Sequence, residues 1–126
     1  MPTIVLVEDD LPLAELYQTK IELSGHKCLV ATDGVKGLEL IEQTKPDLVL
    51  LDLMLPQMLG EEVLAEMRRS DWGKAIPVVV LTNISESEAP PGLSKLGIER
   101  YIVKVNLVHD QLAEIVGQVL AKQKTR

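Results

Sequence analysis

The run Thr3-Ile-Val-Leu-Val7, which stops abruptly at the three acids Glu8-Asp9-Asp10, decides the fold. It is apolar without alternation and rich in β-branched residues, so it predicts a strand covered on both faces and ending at a charged rim. Beyond the acids, Leu13, Leu16, Tyr17, Ile21 and Leu23 recur at mostly helical spacing, with Pro12 in the first turn and Ser24-Gly25 as the stop. A helix from Leu11 to Leu23 follows, with Asp10 where an N-cap belongs. The alternation then repeats along the chain. Strands are expected at Cys28 to Ala31, Leu48 to Leu51, Val78 to Leu81 and Tyr101 to Val103, and helices at Val35 to Gln43, Glu61 to Arg69 and Leu107 to Leu120. Apolar strands separated by helices describe an α/β protein: a five-stranded parallel sheet with helices on both faces. One crossover departs from the pattern. Ser85-Glu-Ser-Glu-Ala-Pro-Pro-Gly92 puts two prolines and a glycine where a helix should begin, which predicts a long loop and a shortened fourth helix of about two turns from near Pro91 to Leu96.

A chain of 126 residues is read as one domain over 1–126, large enough for a core without disulfides or a structural metal. The single Cys28 points to a reducing cytoplasm. No basic leader and no long apolar run is present, so neither secretion nor membrane insertion is expected. Nineteen acids against 13 basic residues give a net charge of -6, which disfavours direct contact with nucleic acid, and with one Trp, two Tyr and no Phe little is available for base stacking. Arg68-Arg69 and the terminal Lys122-Gln-Lys-Thr-Arg126 read as solvated helix-end charge.

The polar residues that end the strands form a set. Glu8-Asp9-Asp10, Asp52, Thr82 and Lys104 each follow directly on an apolar run, and in a parallel sheet all those ends lie on one rim. Any one of them alone reads as a loop position or a cap. Together, three or four converging carboxylates require a cation or raised pKa values, and oxygen-only donors point to Mg²⁺. A hard cation, the ammonium of Lys104 and the hydroxyl of Thr82 around one carboxylate suit a transferring phosphoryl group, with Asp52 as the nucleophile.

The runs Ile4-Val-Leu-Val-Glu-Asp-Asp10, Leu50-Leu-Asp-Leu-Met-Leu-Pro56 with Gly60, Val80-Leu-Thr82 and Tyr101-Ile-Val-Lys104 also carry a resemblance. In this order and spacing they resemble the receiver domain of bacterial two-component response regulators. The resemblance implies a flavodoxin-like sheet of order 2-1-3-4-5. It implies a phosphorylation-activated switch that takes phosphate on Asp52 from a sensor histidine kinase or phosphotransfer protein, with Mg²⁺ as cofactor. Glu8 and Asp9 match the acidic pair at the metal, Asp9 as the more direct ligand, and the Met54 backbone carbonyl would be another. Thr82 and Lys104 match the residues that grip the phosphoryl group. Tyr101 matches the aromatic switch that reports phosphorylation to the surface of the fourth helix, fifth strand and fifth helix. The downstream partner stays unknown, and the state implied is a monomer or a phosphorylation-linked dimer.

Three departures qualify what the resemblance implies. Val105 follows Lys104 where receivers usually carry a cis proline, so this peptide is expected to be trans. Asn83 stands where Ala or Gly is usual and narrows phosphoryl access, and the prolines interrupt the usual output face. A receiver that binds partners without phosphorylation is therefore the alternative reading. An aspartyl phosphohydrolase is a weaker one, since Met54 stands where its second Asp is needed. No separate enzyme substrate is expected. Met54 and Ile84, apolar and unable to orient an attacking water, predict slow self-dephosphorylation. His26 and His109 are read as surface residues, Cys28 as core, and Trp72 as a helix-end contact.

Overall fold

A computed structural model describes residues 1–108 and 110–124. The expected runs become β1 (Thr3–Val7), α1 (Leu11–Leu23), β2 (Lys27–Ala31), α2 (Gly34–Thr44), β3 (Leu48–Leu51), α3 (Gly60–Arg69), β4 (Val78–Thr82), β5 (Arg100–Val103) and α4 (Gln111–Lys124). The five strands pair in parallel in the order β2-β1-β3-β4-β5.

The side-chain period of two divides each central strand between the two faces. Ile4 and Leu6 of β1 pack with Tyr17 and Ile21 of α1 and with Leu112 and Val116 of α4. Val5 and Val7 pack on the other face with Ile41 of α2 and with Val63, Leu64 and Met67 of α3. From Ile4 onward in β1, and throughout β3 and β4, neither face reaches water, which is why their sequences run apolar without alternation. Asp10 caps α1 by accepting from Leu13 N–H at 3.1 Å, and Asp33 caps α2 by accepting from Lys36 N–H at 2.7 Å.

Two boundaries differ from the sequence reading. The β4–β5 crossover contains no α-helix; it is carried by two 3₁₀ turns, Glu86–Glu88 and Leu93–Leu96. The prolines and the left-handed Gly92 (φ 83) stand between the two turns, so the helix foreseen from near Pro91 shrinks to a single turn that buries Leu93. The last helix begins at Gln111 rather than Leu107, because a further 3₁₀ turn, Lys104–Asn106, directly follows β5.

Arg68 takes over what a crossover helix would otherwise supply. Its Nε donates to Leu96 O at 2.6 Å, its Nη1 to Gly73 O and Ile76 O at 3.0 and 2.9 Å, and its Nη2 to Gly97 O at 2.8 Å. It is therefore not the solvated helix-end charge the sequence suggests, although Arg69 is exposed as expected. His26 is half-buried, with Nδ1 out of water and without a hydrogen bond, and Trp72 packs against the α2–α3 face. His109, Thr125 and Arg126 lie outside the described residues. No described helix is long and apolar enough to cross a membrane.

Candidate functional site

Register delivers the rim residues to one place. Val7 of β1 pairs with Leu51 of β3, so the next residues, Glu8 and Asp52, leave adjacent strands side by side. Leu51 pairs with Val80, which sets Thr82 at the end of β4, and Thr82 pairs with Val103, immediately before Lys104. The carboxylates of Glu8, Asp9 and Asp52 offer oxygens within 4.8 Å of one another. Glu8 is 1% exposed, Asp52 5% and Thr82 not at all, whereas Asp9 opens to solvent.

Both oxygens of Asp52 are held. Oδ1 accepts from the backbone N–H of Met54 at 3.1 Å, and Oδ2 accepts from Lys104 Nζ at 2.7 Å. Lys104 also forms an ion pair with Glu8 Oε1, while Glu8 Oε2 accepts from Asp10 N–H at 3.2 Å. Three carboxylates thus meet one ammonium, which pairs with two of them, and the set carries two net negative charges when all are ionised. Each carboxylate pair at such a separation repels by about 3 kcal/mol at an effective dielectric of 20. Burial pushes the Glu8 carboxyl up from its ordinary value, and Lys104 only partly offsets this. Burial pulls the other way on Lys104, yet its bonds to Asp52 and Glu8 outweigh it, so the ammonium is held above the ordinary lysine value and stays charged. The donor set is oxygen only and short by two positive charges, which fits a hard divalent cation.

The other residues singled out in the sequence lie close by. Thr82 Oγ1 accepts from Ile84 N–H over a long 3.5 Å. Half-buried Tyr101 points its hydroxyl to the same loop and donates to Ile84 O at 2.8 Å; burial raises its pKa, with Glu86 and Asp52 adding to the effect. Met54 is 59% exposed and Asn83, the residue after β4, is exposed, while Ile84 is half-buried. The Lys104-Val105 peptide is trans, as the missing proline implied. Sequence reasoning missed the Met54 N–H as a partner of Asp52: a backbone donor leaves no mark in residue type.

Comparison with known proteins decides the family. The response regulator receiver domain profile matches residues 4–116, from β1 into α4. The chain belongs to the response regulator receiver family. The receiver is 34% identical over 115 residues, 91% of its length, to the DNA-binding dual master transcriptional regulator RpaA of Synechocystis, but it spans only 48% of that protein. Its fold superposes on the receiver domain of the Francisella response regulator 1452 with a TM-score of 0.86, at 27% identity, over 98% of this chain and 99% of that one. It also superposes on the Mn²⁺-bound form of the response regulator Rcp1 with a TM-score of 0.79, at 30% identity, over 94% and 91%. It is therefore a signalling domain of the two-component type rather than a conventional enzyme.

Proposed function

We propose that this receiver is a switch that accepts a phosphoryl group on Asp52 from a sensor histidine kinase or phosphotransfer protein and thereby changes its affinity for a downstream partner. The observation that carries this reading is the state of Asp52: a buried carboxylate gripped at one oxygen by Met54 N–H and at the other by Lys104, with Glu8 and Asp9 converging on it. Asp9, Asp52, Glu8 and the Met54 carbonyl are the groups that would hold Mg²⁺, and manganese in the related Rcp1 supports a divalent ion at this rim. When bound, the cation supplies charge neutralisation of phosphoryl oxygens.

The chain's own residues do the rest. An Asp52 oxygen forms the new bond to phosphorus as the donor's bond to phosphorus breaks, and a carboxylate nucleophile needs no general base. Lys104 turns its positive charge to a phosphoryl oxygen, and the buried Thr82 hydroxyl donates to another. Exposed Met54 and half-buried Ile84 flank the approach to Asp52 with apolar side chains that orient no water, so the acyl phosphate is long-lived. A lifetime of seconds, unchanged when both are replaced by Asn or Glu, would overturn that point.

Incubation with Mg²⁺ and a small phosphodonor or beryllofluoride tests the reading. The expected result is a gain of one phosphoryl group by mass, or a shifted amide spectrum, lost in Asp52→Ala. No change in the wild type would favour a receiver that binds its partner without phosphorylation.

A further inference from the structure

Gly34 opens α2 and lies against the loop that follows Asp52, although it is 18 positions away in sequence. Its N–H donates to Pro56 O at 3.1 Å. A methyl group built on its Cα would stand 1.8 Å from the carbonyl oxygen of Met58 and 2.6 Å from the carbonyl carbon. Both are backbone atoms, so no rotamer change relieves the clash and the loop itself must move.

That loop has little slack. Gly60 closes its far end, donating to Leu53 O at 3.0 Å, and a Cβ there would stand 2.0 Å from Asp52 O. Between them Met58 N–H turns back on Pro56 O at 2.8 Å, and Gln57 adopts the left-handed conformation at φ 71, uncommon for a residue with a Cβ. The near end of the loop is Met54, whose N–H holds Asp52 Oδ1. A displacement at Met58 is therefore carried through a short, hydrogen-bonded segment to the donor on the acceptor carboxylate.

We propose that Gly34 is a positioning residue for the Asp52 site: the contact of its bare Cα with the Met58 carbonyl, together with its N–H on Pro56 O, sets from the second crossover where Met54 stands against Asp52. This rests on the reading of Asp52 as the phosphoryl and metal site. Two other glycines separate positioning from packing. A Cβ at Gly37, three residues along α2, meets the Val7 side chain at 2.8 Å, and one at Gly117 meets nothing within 4 Å. The first is a packing position away from the loop, the second open space.

The test compares Gly34→Ala, Gly37→Ala and Gly117→Ala with the wild type by thermal midpoint, Mg²⁺ titration and the amide resonances of residues 52–60. Gly34→Ala is expected to move the Met54 resonance and weaken Mg²⁺ binding by about tenfold, the range seen when support behind a ligand is removed. Gly37→Ala lowers the midpoint and leaves the Met54 resonance in place, because its Cβ presses on Val7 of β1 and not on the loop. Gly117→Ala leaves the Mg²⁺ affinity and the Met54 resonance unchanged and raises the midpoint slightly, as alanine does in place of an exposed mid-helix glycine. A Gly34→Ala protein that loses stability while keeping wild-type Mg²⁺ affinity and Met54 resonance overturns the proposal. Should Gly34→Ala fail to fold, exchange of the Gly34 amide in the wild type decides: Mg²⁺ with beryllofluoride is expected to slow it, and an unchanged rate overturns the proposal. Wild type that binds no Mg²⁺ refutes the reading of the site instead, and the Met54 resonance then still reports whether Gly34 places the loop.

Discussion

Lys104 and Arg68 are both partly buried cations, and they are held by opposite means. Lys104, 9% exposed at its side chain, meets two buried carboxylates at the carboxyl rim, and a third carboxylate, Asp9, stands within 4.8 Å of those two. Arg68, on the last turn of α3, donates to four backbone carbonyls, from the loop after α3 and the turn before β5, and the charge of Glu99 adds to their hold. Charge against charge is adjustable: whatever ion or phosphoryl group enters the rim changes what Lys104 is worth. Charge against fixed peptide dipoles is not, so Arg68 behaves as a fastening. The functional site has therefore kept the lysine, a mobile point charge, and the structural position the planar fork that can satisfy several acceptors at once.

The largest effect is expected where the fastening is removed. Arg68→Met leaves four carbonyls without their donor and should cost about 3 kcal/mol in urea unfolding, with little dependence on Mg²⁺ or on pH between 5 and 8. Lys104→Met should cost about 2 kcal/mol at pH 7, because Glu8, Asp9 and Asp52 then repel without an ammonium between them. That loss should shrink on adding Mg²⁺ and on acidification, which protonates Glu8, whose carboxyl burial has already raised. If the Arg68 variant were instead the one rescued by Mg²⁺, the contrast between the two cations would be broken.

A third expectation concerns high pH. Burial pushes the Cys28 thiol from 9.0 to about 12, with Glu22 adding to the shift. A group raised in the folded state contributes stability that is present below its unfolded value and lost as pH rises through the folded one. Stability should thus fall between pH 9 and 12, and less steeply in Cys28→Ala; Lys104, also raised, contributes to the same alkaline limb. Thiol labelling of the native protein at pH 8 should be slow. The smallest effect sharpens the contrast from the other side. Lys45, an exposed cation at the left-handed cap of α2 (φ 44), reaches a carbonyl of its own helix, Glu42 O, at a long 3.3 Å, and Lys45→Gly should still stabilise by about 0.5 kcal/mol through relief of its backbone, read by the thermal midpoint.

The sequence made the sheet and the rim legible for one reason. A strand buried on both faces must be apolar throughout, so each polar residue that ends a run marks the rim, and Glu8, Asp52, Thr82 and Lys104 could be placed there from their positions alone. The rest depends on groups that residue type does not encode. Met54 serves Asp52 through its N–H, Gly34 through its missing side chain, and Arg68 through carbonyls that come near it only after the crossover has folded. The prolines near residue 90 correctly warned of a weak crossover helix, but not that two 3₁₀ turns would replace it, since those turns exist by virtue of Leu93 packing on the core and Arg68 binding Leu96 and Gly97.

The register that aligns Val7 with Leu51 also has a kinetic side. Pairing β1 with β3 brings Glu8 and Asp9 toward Asp52, whereas Lys104 arrives only with β5, two strands away at the edge of the sheet. Along any route that zips the centre of the sheet first, the carboxylates repel before their counter-charge is in place. The rim is thus a frustrated spot in the folding landscape. Neutralising Asp52 should accelerate folding more than it slows unfolding, so the residue that would receive the signal also sets how quickly the receiver assembles.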